Sequence, residues 1–314
     1  MVEVSQHLKG RSFTRITDWS HDDLKGLLDL ADELKALQRR GEEHSLLPGR
    51  TVGLFFELHS TRTRISFAVA AEQLGASAIP VQRDESHLRR GESIRDTAAT
   101  LSRYLDCIVF RTLRQEDVED LAANASIPVV NGLTEVTNPC QALADLMTIR
   151  ERLGRLSGVR IAYFGDGNNV CASLMTAAAK LGMRFVAAIP EGYDPDDSVV
   201  KTARRAAVQS GGTVELVRDP HEAAKGAEVL YTDVWTSMGQ DEEREPRLAD
   251  LAGFGIDSEL VALGTADAIV LHCLPAHYGE EITEDVLYGP QSAVWDEAEN
   301  RLHSQKALLA LIIP

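Results

Sequence analysis

The 314-residue sequence has few cysteines and no long apolar run. Its four cysteines, Cys107, Cys140, Cys171 and Cys273, are scattered, with no C-x-x-C pair and no histidine spaced for zinc. We therefore expect neither a disulfide framework nor a structural metal. No apolar segment approaches the roughly 20 residues that a membrane-spanning helix needs, so no membrane association is expected.

Basic residues are also scarce. The 32 Lys and Arg residues stand against 48 Asp and Glu residues, giving a net charge of −16. Such a charge repels nucleic acid and anionic lipid at long range, so an anionic substrate would need a local basic pocket. The residues from Met1 to His7 lack the basic and apolar segments of a secretion signal, which predicts a cytoplasmic location.

The length and the segment pattern predict an α/β protein of two domains, each a parallel sheet flanked by helices. Short β-rich runs alternate with helical stretches from Thr51 onward, and a second alternating set starts at Val159. An amphipathic helix from Pro139 to Gly154 separates the two sets. We place the first domain at residues 1–150, completed by a C-terminal helix over 299–314, and the second at residues 151–298.

Three local patterns make further predictions. Ser20, with Asp23 behind it, is typical of an N-cap and predicts a first helix. The polar stretch from Gln240 to Arg247 is typical of a mobile loop. Near the C-terminus, SAVWDEA (292–298) is predicted as a last β-rich run, followed by a helix from about Asn300 to Ile312.

The segment STRTR (60–64) lies where a buried strand gives way to a helix. Backbone N–H groups, hydroxyl groups and guanidinium groups therefore converge there, which is typical of a phosphate site. The alternative is a capped helix start with two solvated arginines. Two arginines interleaved with three hydroxyl residues favour the phosphate site.

Three further motifs follow strands of the second domain. Gly165-Asp166-Gly167 occupies the place of a dinucleotide-binding turn, but Val170 replaces the third glycine. There are two alternatives: the segment is a plain tight turn, or Asn169 presents its amide to a small substrate. Asp233 opens DVWTSMG and is a helix cap or a ligand-binding residue. Cys273 in HCLP is a small core residue or a site residue. Neither DVWTSMG nor HCLP indicates a functional site by itself; the two must be considered together.

Taken in order and spacing, these segments resemble the ornithine carbamoyltransferases. The resemblance rests on STRTR, Arg111-Thr112, Asn138-Pro139-Cys140-Gln141, GDGNN, DVWTSMG, HCLPAH and Glu299-Asn300-Arg301, and runs from about Leu8 to Ile312. STRTR alone would also fit the aspartate carbamoyltransferases, whereas the SMG loop and HCLP together indicate ornithine. The resemblance implies carbamoyl transfer from carbamoyl phosphate to the side-chain amine of L-ornithine, giving citrulline and phosphate within arginine metabolism, without a cofactor.

The resemblance also implies the site residues. Catalysis would involve Arg111, Asn138, Asp233 and Cys273. Carbamoyl phosphate would contact Ser60, Thr61, Arg62, Thr63, His87, Arg111, Asn138, Gln141, Cys273, Leu274 and Arg301. Ornithine would contact Asn169, Asp233, Ser237 and Met238. The family assembles as a trimer, in which the loop carrying His87 would complete a neighbour's phosphate site.

One departure from the family pattern concerns the chemistry directly. Asn138 replaces the histidine of the usual H-P-x-Q motif, and its NH₂ group could donate to the carbamoyl oxygen instead. Three other functions stay open at this point: a nicotinamide dehydrogenase, a carbamoyltransferase for a related amine, and a non-catalytic paralogue that binds one of the substrates.

Overall fold

The computed structural model describes residues 4–82, 91–237 and 241–314. These residues form two compact units. The first comprises Met1–Met147 and Glu299–Pro314, and the second comprises Thr148–Ala298. No helix in the described part of the chain is long and apolar enough to cross a membrane.

The first unit contains a parallel sheet of four strands in the order β2-β1-β3-β4. Buried apolar side chains from the strands and from the flanking helices form its core. In chain order its elements are α1 (His21–Arg39), β1 (Thr51–Phe56), α2 (Arg62–Gln73), β2 (Ser77–Gln82), α3 (Ile94–Leu101), β3 (Cys107–Arg111), α4 (Gln115–Asn124), β4 (Val129–Leu133) and the first part of α5 (Pro139–Leu153).

The second unit contains a parallel sheet of five strands in the order β7-β6-β5-β8-β9. Its elements are β5 (Arg160–Phe164), α6 (Asn169–Lys180), β6 (Arg184–Ala188), α7 (Asp197–Ser210), β7 (Thr213–Val217), α8 (Pro220–Ala224), β8 (Val229–Thr232), α9 (Arg244–Asp250), α10 (Ser258–Val261), β9 (Ile269–His272), α11 (Glu284–Leu287) and the start of α12 (Val294–Ile312). The predicted fold class, parallel sheets flanked by helices, is confirmed.

The strand orders determine where ligands can bind. In each sheet the chain starts near the middle, builds outward to one edge, and then returns to build the other side. The direction changes between β1 and β3 in the first sheet and between β5 and β8 in the second. Loops at the carboxyl ends of such strand pairs diverge and leave a crevice, which is the usual ligand position in open α/β sheets.

The predicted start of α1 is confirmed. The Ser20 hydroxyl accepts from the backbone N–H of Asp23, and the Asp23 carboxylate accepts from the backbone N–H of Ser20. This reciprocal pair satisfies two donors that the first turn would otherwise leave without partners. Local sequence was sufficient here because both partners lie within one turn.

Two local predictions were wrong. The run SAVWDEA is not a strand: Ser292 makes one isolated bridge to Val270, and α12 begins at Val294 rather than near Asn300. Residues 241–247 are not an irregular loop, because a short 3-10 helix (Asp241–Glu243) leads directly into α9. In α9 tertiary contacts outweighed the local pattern, because Arg247 is buried there.

Candidate active site

The first group of candidate residues lies where β1 ends and α2 begins. Ser60 is half-buried, Thr61 and Arg62 are exposed, and Thr63 is buried. Thr61 precedes the first helical residue, but its side chain makes no capping hydrogen bond. The first turn of α2 therefore presents N–H groups that Thr61 does not cap, next to hydroxyl groups and a guanidinium. Such a helix start suits a phosphate group.

Arg301 on α12 connects this helix start with α5. Its guanidinium donates to the Thr63 hydroxyl and to the side-chain carbonyl of Gln141, both at 2.6 Å. Gln141 in turn donates to the Asp145 carboxylate at 2.8 Å. All four side chains are buried. A planar guanidinium makes both bonds at once, so this contact brings together three of the predicted carbamoyl phosphate residues.

Arg111 and Asn138 lie at the same edge of the first sheet. Arg111 is the buried last residue of β3 and pairs with Phe56, the last residue of β1. Asn138 follows β4 and precedes α5, and its backbone carbonyl accepts from the N–H groups of Gln141 and Ala142. Because all strands of this sheet are parallel, the ends of β1, β3 and β4 share one edge, which the helix start after β1 also occupies.

In the second unit, Asp233 is the centre of the candidate residues. It follows β8, and its two carboxylate oxygens accept from the Cys273 thiol at 2.8 Å and from the Asn168 amide at 2.7 Å. Asn168 caps α6 by accepting from the backbone N–H groups of Val170 and Cys171. The GDGNN, DVWTSMG and HCLP segments therefore meet at the carboxyl edge of this sheet. Asp233 is buried and Cys273 is partly exposed.

His272 shapes the turn that carries Cys273. Its Nδ1 accepts from the backbone N–H of Leu274 at 2.8 Å, so in neutral His272 the proton is on Nε2, which donates to Glu281 at 3.1 Å. Leu274 needs this support because its φ of 60° lies in the left-handed region. His272 and Glu281 are both buried. The pair fixes the backbone on both sides of Cys273.

Arg247 connects the segment after β8 with the turn after β5. It donates to the Trp235 carbonyl at 2.6 Å and to the Asp166 carboxylate, and it lies 5.0 Å from the centre of the Tyr193 ring. Burial raises the pKa of Asp166 to about 6, although the Arg247 guanidinium lowers it. Ser237 lies two residues beyond Trp235 and is half-buried.

The glycines of the turn after β5 have structural reasons. A Cβ at Gly167 would lie 2.4 Å from the backbone nitrogen of Pro195 and 2.5 Å from the Tyr193 carbonyl oxygen. A Cβ at Gly165, whose φ is 113°, would lie 3.1 Å from the Trp235 indole nitrogen. The close approach that excludes a side chain here is therefore made by the protein itself, so these glycines do not argue for a dinucleotide.

Two groups of side chains among the described residues have the composition of metal ligands. They are Asp233 with His272 and Cys273, and His277 with Glu280 and Glu281. Within them one atom of each of several side chains already bonds to a protein group: Cys273 to Asp233, Glu281 to His272, and Glu280 to Arg244. These contacts make both clusters part of hydrogen-bonded networks.

Comparison with known proteins places the two units in one family. The model of the aspartate/ornithine carbamoyltransferase carbamoyl-P binding domain matches residues 11–151, and the model of the Asp/Orn binding domain matches residues 157–312. The chain belongs to the aspartate/ornithine carbamoyltransferase family. Ornithine carbamoyltransferase of Pyrococcus horikoshii is 51% identical over 306 residues, which cover 98% of this chain and 96% of the relative.

Solved structures of the family agree with this placement. The ornithine carbamoyltransferase of Pyrococcus furiosus has a TM-score of 0.95 and 49% identity, with 99% of each chain covered. The enzyme of Gloeobacter violaceus has a TM-score of 0.88 and 45% identity, covering 99% of this chain and all (100%) of the other. The resemblance stated from the motifs is confirmed.

Within this carbamoyltransferase chain the structure describes all but two of the predicted site residues. Those two, His87 and Met238, lie outside the described residues. Asn169 is the first residue of α6, and Leu274 follows Cys273; both are half-buried.

Sequence reasoning missed Asn168 and Arg247. The N-cap pattern before α6 could have indicated Asn168, but nothing in the polar stretch around Arg247 marks one arginine as buried.

Proposed function

We propose that this protein transfers the carbamoyl group of carbamoyl phosphate to the side-chain amine of L-ornithine, giving L-citrulline and phosphate. The observation that carries the proposal is the contact between Asp233 and Cys273, which joins the DVWTSMG and HCLP segments. Identity of about half of all residues to ornithine carbamoyltransferases over almost the whole chain supports the same reaction.

In this proposal the first unit holds carbamoyl phosphate. The helix start at Ser60 to Thr63 takes the phosphate through N–H, hydroxyl and guanidinium donors. Arg301 fixes the side chains of Thr63 and Gln141 beside this helix start by donating a hydrogen bond to each. Arg111 and Asn138 donate to the carbamoyl oxygen, where negative charge develops. The family resemblance adds His87, Cys273 and Leu274 to the residues proposed for carbamoyl phosphate.

The second unit holds ornithine in this proposal. The Asp233 carboxylate, oriented by the Asn168 amide and the Cys273 thiol, attracts the substrate ammonium groups. Asn169 and Ser237 supply polar partners for the amino acid group, and Met238 belongs to the same proposed set. Arg247 supports the segment from Asp233 to Ser237 through the Trp235 carbonyl.

The chemistry fits fixed positive charge and fixed donors. The side-chain ammonium of ornithine loses one proton to become the attacking amine, its nitrogen forms a bond to the carbamoyl carbon, and the bond from that carbon to the phosphate oxygen breaks, while the nitrogen passes a second proton to the departing phosphate. Phosphate leaves with the bonding electron pair. Donors that wait for the developing charge lower the barrier because they need no reorganisation during the step. The Asp233 and Cys273 pair assists the amine deprotonation.

The test is an acceptor series with purified protein and carbamoyl phosphate. We expect citrulline with L-ornithine, and values of kcat/KM lower by up to about 10⁴-fold for putrescine, which lacks the α-carboxylate and so leaves polar groups of the site without partners. L-aspartate serves as the second comparison. Equal kcat/KM for putrescine would reassign the acceptor to a diamine, and no turnover with any amine would leave a binding role only.

We extend the proposal to the biological setting. A role in arginine biosynthesis draws support from the P. furiosus relative, whose name specifies the anabolic enzyme. A cytoplasmic location is favoured by the four free cysteines, since reduced thiols persist in reducing compartments. A homotrimer is the proposed assembly, and the exposed apolar side chains Ile65 on α2 and Ile79 on the edge strand β2 offer a surface for it.

A further inference from the structure

Gln115 is a buried polar residue at the start of α4. Only 4% of it is exposed. Its side-chain oxygen accepts three hydrogen bonds, from the Thr134 hydroxyl at 2.7 Å, the Thr137 hydroxyl at 3.1 Å and the Asn131 amide at 3.2 Å. Its amide nitrogen donates to Glu119 at 2.9 Å. A single side chain thus accepts from three donors in the segment 131–137, which begins in β4 and ends just before Asn138.

This segment has a strained and closely tied backbone. Leu133 has a φ of 149°, and its N–H is held by the side-chain oxygen of Asn131 at 2.9 Å. The Thr134 hydroxyl accepts from the Thr137 N–H at 3.1 Å, while the Thr134 N–H donates to the Thr137 carbonyl at 2.9 Å. Such a turn keeps one conformation only if its surroundings determine it. The side chains of Asn131, Thr134 and Thr137 all donate to the Gln115 oxygen.

The segment ends at the candidate catalytic residues. Asn138 follows Thr137 directly. Leu133 pairs with Arg111 across an irregularity in the ladder between β3 and β4, and its carbonyl accepts from the Thr112 N–H at 3.2 Å. A displacement of this turn would therefore move the donors on both Arg111 and Asn138. Displacements of about 1 Å can lower an enzymatic rate by roughly 10²-fold.

We propose that Gln115 is a positioning residue for carbamoyl transfer. It holds the turn from Asn131 to Thr137 so that Asn138 and Arg111 direct their donors at the carbamoyl oxygen. The anchor is itself fixed, because Glu119 accepts from Arg15 at 2.6 Å as well as from Gln115. This inference rests on the proposed function, and it adds a residue that contacts neither substrate.

The first test compares Gln115→Met with Val118→Ala. Both residues are buried on α4, but Val118 packs in the apolar cluster of the first unit and forms no part of the polar network. We expect Gln115→Met to lower kcat for citrulline formation by roughly tenfold or more, with KM for ornithine little changed. Val118→Ala should lower the melting temperature comparably and leave kcat near the wild-type value. Equal kcat in the two variants would overturn the proposal.

The second test uses Gln115→Glu, which keeps the accepting oxygen and alters only the contact with Glu119. An ionised carboxylate there would repel Glu119, whereas a protonated one would donate to it as the amide does. The kcat of Gln115→Glu relative to wild type should therefore rise as the pH falls. A ratio that is independent of pH would contradict the proposal, and this test also decides the matter if Gln115→Met does not fold.

Wild-type turnover separates this inference from the proposed function. If the wild-type protein forms no citrulline, the proposed function fails and the inference with it. If the wild-type protein is active and the Gln115 variants behave like Val118→Ala, only the inference fails.

Discussion

Asn138 occupies a position with two possible roles. Its backbone carbonyl accepts from the first N–H groups of α5, which is a structural role at a helix start. Its side chain is buried at the sheet edge that also carries Arg111. An amide offers a neutral donor, so it can stabilise a carbamoyl oxyanion without the charge that a protonated histidine would add.

Replacing Asn138 with alanine removes the side-chain donor and keeps the backbone carbonyl. We expect kcat to fall by roughly 10²-fold, the usual cost of losing one oxyanion donor, with little loss of stability because alanine keeps the backbone carbonyl that serves α5. Steady-state citrulline assays and thermal unfolding measure the two effects. Asn124→Ala on the exposed face of α4 is the control. A lower melting temperature with kcat within about threefold of wild type would assign Asn138 a structural role only.

At the scale of elements, the segment from β8 to α9 depends on Arg247. One guanidinium reaches the Trp235 carbonyl and the Asp166 carboxylate and packs on Tyr193. Lysine cannot serve both acceptors, so Arg247→Lys should displace the segment that leads to Ser237. We expect KM for ornithine to rise about tenfold or more, since a charged hydrogen bond contributes about 1.5–3 kcal/mol.

Measurements on both substrates test this expectation. KM for carbamoyl phosphate should stay near the wild-type value, because Arg247 lies in the second unit. Arg218→Lys, which changes an exposed ion pair with Asp194 in the same unit, is the matched control. An unchanged KM for ornithine in Arg247→Lys would show that the segment keeps its conformation without the guanidinium.

The helix α12 carries a buried lysine with a pH-dependent effect on stability. Lys306 is fully buried and donates to Gln38 and Gln73 at 2.8 Å and to His44 at 3.0 Å. Burial lowers its pKa to about 8, from 10.5 in an unfolded chain. Between these values the unfolded chain binds the proton and the folded chain does not. The contribution of Lys306 to the free energy of unfolding therefore rises with pH across this window.

Comparison with Lys306→Met isolates this contribution. The difference in free energy of unfolding between wild type and Lys306→Met should shift by about 1–3 kcal/mol in favour of the wild type as the pH rises through the window, and should be constant below it. Urea unfolding at several pH values measures it. The exposed Lys201→Met on α7 should show no such trend. A constant difference for Lys306→Met would mean that the lysine keeps its ordinary pKa in the fold.

At the scale of the whole molecule, a closed trimer in which His87 completes a neighbour's site predicts complementation between inactive subunits. Mixed assemblies of Arg62→Ala and His87→Ala subunits should regain citrulline formation, because some interfaces combine one intact half from each subunit. Arg62→Ala mixed with Ser60→Ala is the control and should stay inactive, since both changes affect the same half. No recovery after confirmed subunit exchange would mean that each subunit carries its whole site.

Much of the fold could be predicted because its signals are local. Ser20 and Asp23 lie within one helical turn, and most of the short β-rich runs of the sequence form strands. The site motifs could be recognised for a related reason: each is a short run at a strand end, where parallel α/β sheets place their ligands.

The sequence by itself determined most of the elements, their parallel arrangement and the family. The tertiary structure alone decided which side chains meet. Asp233 and Cys273 are 40 positions apart, and Thr63 and Arg301 are 238 apart. It also decided that Arg247 is buried and that Gln115 accepts hydrogen bonds from the turn before Asn138. Such contacts depend on strand order and burial, which many residues determine jointly, so no local pattern could predict them.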